Sequence, residues 1–282
     1  MNPTCIYCEN EISTPLDKVH ILPESAGNLT HILGHPVVCR KCNNYFGTKV
    51  EKPFLESQFV TINRSQMRIP SKSSGLVPSA TGLLFAHGVH LEVQLDMNEE
   101  FPRIAPLHEK DLVKFISVLR PGSEGTMRFP AGVPPPKGLV TSRFVAKIAV
   151  EALLLRLEEL GHQFITEARK SLRPLARHAR YGEHKNWEIL VRQAYPADTA
   201  FSDGSSVYDL PHEFAFDGAE DMIFFFLRMF GVEFALDMGC DEVKRVMHHV
   251  AALEMESPMK VDTIFQMGSA PAVVPSEWTK WT

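Results

Sequence analysis

Cys5-Ile6-Tyr7-Cys8 is answered by Cys39-Arg40-Lys41-Cys42, and Val19-His20-Ile21-Leu22-Pro23-Glu24-Ser25 lies between them. Two thiol pairs at metal-ligand spacing enclose one histidine on an apolar, strand-like run. Asn43 and Asn44 follow the last thiol, then Tyr45-Phe46-Gly47. A Cys-x-x-Cys turn presents two thiolates from one tight bend. Two such turns, separated by a loop of about 30 residues, can close on one ion. Four thiolates leave no open coordination position. The expected ion is therefore a structural zinc on Cys5, Cys8, Cys39 and Cys42, and catalysis needs a second site. Such a zinc contributes folding energy directly, which a unit of roughly fifty residues needs because its own core is small.

The chain of 282 residues is 44% hydrophobic, enough for one large domain or two modest ones. The formal net charge is -5, so any polyanionic partner must be met by a local basic patch. The N-terminus has no signal-like pattern, and no apolar run is long enough to span a membrane. Four of the five cysteines sit in the two pairs, which suits metal binding in a reducing compartment. A cytoplasmic protein without membrane contact is expected. Cys240, alone, reads as a small buried or half-buried thiol.

Working outward, residues 18–22 read as a short strand stopped by Pro23, residues 24–34 as a loop and residues 36–38 as a second strand. A helix is expected from Arg40 to about Glu56, disturbed by Pro53. These form a unit over residues 1–56. The rest, residues 57–282, reads as a larger α+β domain with antiparallel hairpins. It opens on a connection with one strand at 59–62. Residues 82–86 and 90–95 form a hairpin, and residues 108–119 a helix with Leu112, Phe115, Ile116 and Leu119 on one face. Thr141 or Ser142 caps a long helix running to Leu160, and a shorter one follows until Pro174 ends it. Residues 187–195 read as a strand. Residues 222–229 and 232–238 form a hairpin about Phe230-Gly231, and residues 241–254 a last helix.

If zinc pins the second knuckle, the helix start at Asn43 is held near the strand carrying His20. A neutral imidazole there can take a proton from water. A divalent ion held by carboxylate or amide oxygens can stabilise charge on a phosphate. That combination suits phosphodiester hydrolysis.

The pattern of Cys-x-x-Cys, His20-Ile21-Leu22-Pro23-Glu24-Ser25-x-Gly27 and Val38-Cys39-Arg40-Lys41-Cys42-Asn43-Asn44-Tyr45-Phe46-Gly47 resembles the HNH endonuclease family in its four-cysteine, zinc-stabilised form. The resemblance covers about residues 3–56. It implies a ββα-metal module with Mg or Mn as the catalytic ion. His20 matches the general base and Asn43 the third motif residue, near the metal. The middle residue, which orients the base, falls on His35, with Asn28 as the alternative. The family carries Asp or Glu directly before the first histidine, where this chain has Val19. Asp17, two residues earlier, or Glu24 is then the carboxylate that could supply the oxygen.

The larger domain holds no motif that dictates a reaction. Its most suggestive stretch is residues 169–185. Arg169, Lys170, Arg173, Arg177 and Arg180 meet one acid, Glu183, and suit a phosphate backbone, against the plainer reading of a solvated helix face. Taken together, the sequence points to a metal-dependent endonuclease acting on DNA. Its C-terminal part would serve in targeting or sensing, by analogy in restriction or anti-phage defence. A homodimer, a partner protein or a small activating ligand are the further partners this leaves open. The competing reading is a non-catalytic zinc knuckle that binds nucleic acid or protein, and Val19 favours it.

Overall fold

The computed structural model describes residues 3–14, 18–28, 30–34, 36–72, 74–84, 87–94, 103–119, 127–128, 133–160, 162–183, 187–195, 199–201, 212–219, 222–240, 242–252, 264–266 and 279–281. The first thiol pair forms a tight turn. Cys5 N–H donates to Asn10 O at 2.8 Å and Glu9 N–H to Cys5 O at 3.0 Å. Val19–His20 (β1) then pairs antiparallel with Ile32–Leu33 (β2), Val19 opposite Leu33 and His20 opposite Ile32. The strand expected at residues 36–38 is absent. Pro36 has no N–H for a ladder, and Val37 O accepts instead from Ile6 N–H at 2.9 Å, which ties this stretch to the first knuckle. The partner strand lies in the presumed loop because two residues are too few to show an alternation.

Arg40–Phe46 (α1) runs through one π-helical turn, Gly47–Glu51, into Lys52–Leu55 (α2). The disturbance expected at Pro53 takes this form. In a regular α-helix its ring would strike the carbonyl four residues earlier, and the wider turn lies directly ahead of it.

The chain divides into two compact units, residues 55–135 and residues 1–54 with 136–282. In the former, Gln58–Gln66 (α3) replaces the strand expected at 59–62. Ser57 Oγ caps it by accepting from Val60 N–H at 3.4 Å, and Phe59 and Val60 are buried. Cap and burial outweigh the β-branched composition. Ala80–Leu84 (β3) and Val89–Gln94 (β4) form the expected hairpin, with Arg103–Pro106 (β5) beside β4. Leu112–Val118 (α4) buries only Phe115, against Leu84, Val89 and Leu91. Leu112, Ile116 and Leu119, expected on its buried face, are 42%, 59% and 62% exposed, while Val118 packs beside Phe115. Met127–Arg128 (β6) closes the four-stranded sheet.

In the latter unit, Leu139–Leu160 (α5) starts ahead of the expected cap. Thr141 and Ser142 lie inside its first turn. Thr141 Oγ1 donates to Pro136 O, while Ser142 Oγ donates to Trp187 O at 2.7 Å and meets His178 Nε2 at 2.8 Å. Their hydroxyls serve these contacts rather than a cap. His162–Tyr181 (α6) runs through Pro174, which was expected to end it. Pro174 is exposed, and buried Leu172, Leu175, Ala176 and Ala179 to either side hold the helix in place despite the lost backbone bond.

Ile189–Gln193 (β7), Thr199–Phe201 (β8), His212–Ala219 (β9), Met222–Met229 (β10), Val232–Asp237 (β11), Val243–Ala252 (α7), Ile264–Gln266 (β12) and Thr279–Trp281 (β13) complete the chain. Five strands form an antiparallel sheet in the order β13-β7-β11-β10-β9, and β8 pairs with β12. Phe230 and Gly231 turn β10 into β11 with φ of 54° and 77°, as a two-residue hairpin turn requires. On one face, Val243, Val246 and Val250 of α7 cover Leu190, Phe224, Phe226 and Ala235. Further along that face Arg192 stands opposite Glu233, Glu233 opposite Arg228 and Arg228 opposite Glu213. This ionic row fixes the register, since a slip of one residue would leave buried charges unpaired. The fold is α+β, with a small N-terminal ββα module and antiparallel hairpins beyond it. No described helix is long and apolar enough to cross a membrane.

Candidate active site and zinc centre

The four sulfurs of Cys5, Cys8, Cys39 and Cys42 lie within 4.8 Å of one another, and Cys8 Sγ is 3.7 Å from Cys39 Sγ. Sulfurs held ~2.3 Å from a tetrahedral zinc are about 3.8 Å apart, so the donor set fits the ion. Backbone N–H groups support the sulfurs: Cys39 N–H points at Cys5 Sγ and Cys42 N–H at Cys39 Sγ, both at 3.4 Å. Packed thiolates repel one another. The Cys5 thiol is lowered to about 4 by a hydrogen bond from Cys42, and that same bond, with burial, pushes the Cys42 thiol up. A dication bound by all four removes the conflict. Cys39 is also the N-cap of α1, so zinc would anchor the start of the helix that carries Asn43.

Alternation along β1 separates its two side chains. Val19 is buried, while His20 is half-buried on the opposite face. The position where a carboxylate was expected is thus a core position. His20 Nε2 instead meets Glu24 Oε1 at 2.8 Å, four residues on, in the short 3-10 helix Glu24–Ala26. His20 Nδ1 is buried with no hydrogen-bond partner among the described residues.

Asn28 is fully buried. Its Nδ2 donates to Leu22 O at 2.8 Å and His31 O at 3.0 Å, and its Oδ1 accepts from Thr30 N–H at 3.1 Å and His31 N–H at 2.9 Å. One amide thereby ties the end of β1 to the start of β2. Asn43 is half-buried, and its side chain makes no hydrogen bond among the described residues. Asp17 and His35 lie outside the described residues.

Residues 5–59 match the family model described as HNH endonuclease. The N-terminal segment is an HNH-type module. No curated protein and no solved structure matched the chain. The module shares its compact unit with α5, α6 and the five-stranded sheet, and the residues joining it to them were not evident from the sequence.

Lys147 of α5 has a side chain only 1% exposed, and its ammonium reaches four oxygens of this region. It donates to Ile21 O at 2.6 Å and His20 O at 3.0 Å, and pairs with Glu51 Oε1 at 3.0 Å and Glu151 Oε2 at 2.9 Å. Tyr7, inside the first knuckle, bonds Glu151 Oε1 at 3.0 Å. Burial pushes the Glu151 carboxyl up to about 7 against the pull of Lys147. Burial also opposes the charge on Lys147, but Glu151 and Glu51 outweigh it and raise its pKa. The available signal was a lysine and a glutamate four residues apart within the apolar run Val145-Ala146-Lys147-Ile148-Ala149-Val150-Glu151.

The basic residues of α6 run alongside the HNH module. Arg169 Nη1 reaches Thr4 Oγ1 at 3.3 Å, and Arg173 pairs with Glu9 at 2.7 Å. Arg177 pairs with Glu183, Lys170 is exposed, and the Arg180 guanidinium lies 3.3 Å over the Tyr45 ring. Arg143 Nη2 donates to Tyr45 Oη at 2.8 Å, so Tyr45 of α1 is held from both long helices. Cys240, half-buried as expected, contacts Asp237 and Arg245 far along the chain from the module.

Proposed function

We propose that the HNH module hydrolyses phosphodiester bonds in DNA, with His20 as the general base. The observation that carries this reading is the imidazole–carboxylate pair of His20 and Glu24, set where β1 ends in a four-cysteine ββα module. Nδ1 of His20 is buried, so Nε2 is the nitrogen that takes the proton from the attacking water, once Glu24 turns from it to the ion. Asn28 braces the loop between the strands and fills the place of the middle motif residue, for which His35 is the other candidate. Asn43 and a carboxylate are the residues that would hold Mg or Mn. Glu24, placed at His20, supports that role better than Asp17. The ion would stabilise negative charge on the phosphate and leaving oxygen.

An HNH module implies nucleic acid as partner, and α6 offers Arg169, Lys170, Arg173, Arg177 and Arg180 next to the zinc knuckle. The part of the chain beyond residue 57 then serves in targeting or sensing, with restriction or anti-phage defence as its setting and a partner protein or small ligand as its input. A homodimer would suit double-strand cutting, and a reducing cytoplasm would suit the four thiols.

Purified protein is incubated with plasmid DNA and Mg(II) or Mn(II) beside a His20→Ala variant. Cleavage by the wild type and its loss in the variant is expected. Equal cleavage by both would place the activity elsewhere. Cleavage by neither, across metals and substrates, would leave the module a binding knuckle, the reading that buried Val19 favours.

A further inference from the structure

We infer that Lys147, outside the residues matched by the family model, is a positioning residue for His20. The inference rests on the proposed role of His20. Successive carbonyls along a strand point in opposite directions. Those of His20 and Ile21 nonetheless converge on one ammonium, at 3.0 and 2.6 Å, so Lys147 fixes the bend by which the chain leaves β1. That bend sets both the direction of the His20 ring and the place of Glu24, four residues on. Ile21 N–H still bonds His31 O at 3.1 Å, so the strand is held on its other side by the hairpin.

The same ammonium reaches Glu51 of the π turn, and through Glu151 it reaches Tyr7 of the first knuckle. One cation thus joins strand, helix and zinc knuckle, the three parts of the module, to α5. Stability alone does not call for this. Removing charges from water is costly, and a well-packed apolar replacement is often as stable. What an apolar side chain cannot do is hold two carbonyls in a fixed place. The geometry of the base is therefore completed from α5, some hundred residues beyond the module's own helix.

The test uses the full chain, with Lys147→Met to remove the charge at similar volume and Lys147→Arg to restore it. The expected result for Lys147→Met is about one zinc per chain, cooperative unfolding and a KM for plasmid DNA within about twofold of wild type. Its kcat falls by about 100-fold, as displacements near 1 Å can cause. The imidazole resonance of His20 in a proton–carbon NMR spectrum shifts, and Lys147→Arg brings back part of both. Wild-type kcat per zinc-loaded folded molecule, with an unmoved His20 resonance, would overturn the inference. If the wild type cleaves nothing, the nuclease reading fails, and the His20 resonance alone decides the role of Lys147. Should Lys147→Met not fold, Glu51→Gln keeps the ammonium and removes one of its anions. A His20 resonance identical to wild type in that variant would likewise overturn the inference.

Discussion

Three side chains show how much one residue decides here. Glu24 meets His20, the proposed base, at 2.8 Å, so Glu24→Gln should lower cleavage by about 10- to 100-fold while zinc content stays unchanged. Asn28 satisfies two carbonyls and two N–H groups from a buried position. Asn28→Ala should cost on the order of 2–4 kcal/mol in urea denaturation, because those groups lose their partner. His212 of β9 lies against His31, the residue just before β2, with ring centroids 5.6 Å apart, and burial, helped by His31, lowers its pKa from 6.5 to about 4. The fold therefore holds it neutral. Its contribution is present above pH 6.5 and is lost as pH falls toward 4, on the order of 3 kcal/mol in all. Denaturation midpoints at pH 7.5 and 5 should differ less in His212→Gln than in wild type. Of these residues, Glu24 and Asn28 were singled out by the motif, Glu24 as a carboxylate for the ion and Asn28 as an alternative for the middle residue, but their partners were not. Nor was the partner of His212, because it lies about 180 residues away in sequence.

At the scale of elements, short-range chemistry was readable where turns and alternation are strong. The hairpins about Gly88 and Phe230-Gly231 formed where glycine and apolar runs placed them. Pro174 and residues 59–62 misled because local signals were outweighed. Burial on α6 carries a helix through a proline, and the Ser57 cap turns a β-branched stretch into α3. At the end of α3, Arg68 adopts φ of 54° while Ile69 N–H bonds Arg64 O at 2.9 Å, a left-handed helix stop. Arg68→Gly should stabilise the unit of residues 55–135 by roughly 0.5–1 kcal/mol, read as a raised denaturation midpoint. On α6, the paired change Arg173→Glu with Arg177→Glu should weaken DNA binding and flatten its salt dependence. An unchanged salt slope would leave these arginines to their partners Glu9 and Glu183.

For the whole molecule, the HNH module is not a separate bead on the chain. Tyr7, His20, Ile21 and Glu51 meet Lys147 and Glu151, Tyr45 is held by Arg143 and Arg180, and Glu9 and Thr4 meet α6. Metal analysis should find about one zinc per chain. Stripping it with a strong chelator should lower the melting temperature and release the knuckles, so that α6 loses Glu9 and Thr4 as partners. Retained melting behaviour after complete zinc removal would show that contacts with α5 and α6 suffice to hold the knuckles.

The sequence by itself determined the four-cysteine cluster, the HNH-type pattern around it and the helix start, since these depend on residue type and on spacing within a few positions. The same rule marked Val19 as a departure from the family pattern, and only the tertiary structure showed where its side chain lies. Alternation along β1 turns Val19 into the core and His20 outward, and the bend after the strand brings Glu24 to the ring. That bend is set by a lysine about 125 residues further on. No local pattern could announce it, because a buried charge takes its meaning from the oxygens that packing brings around it.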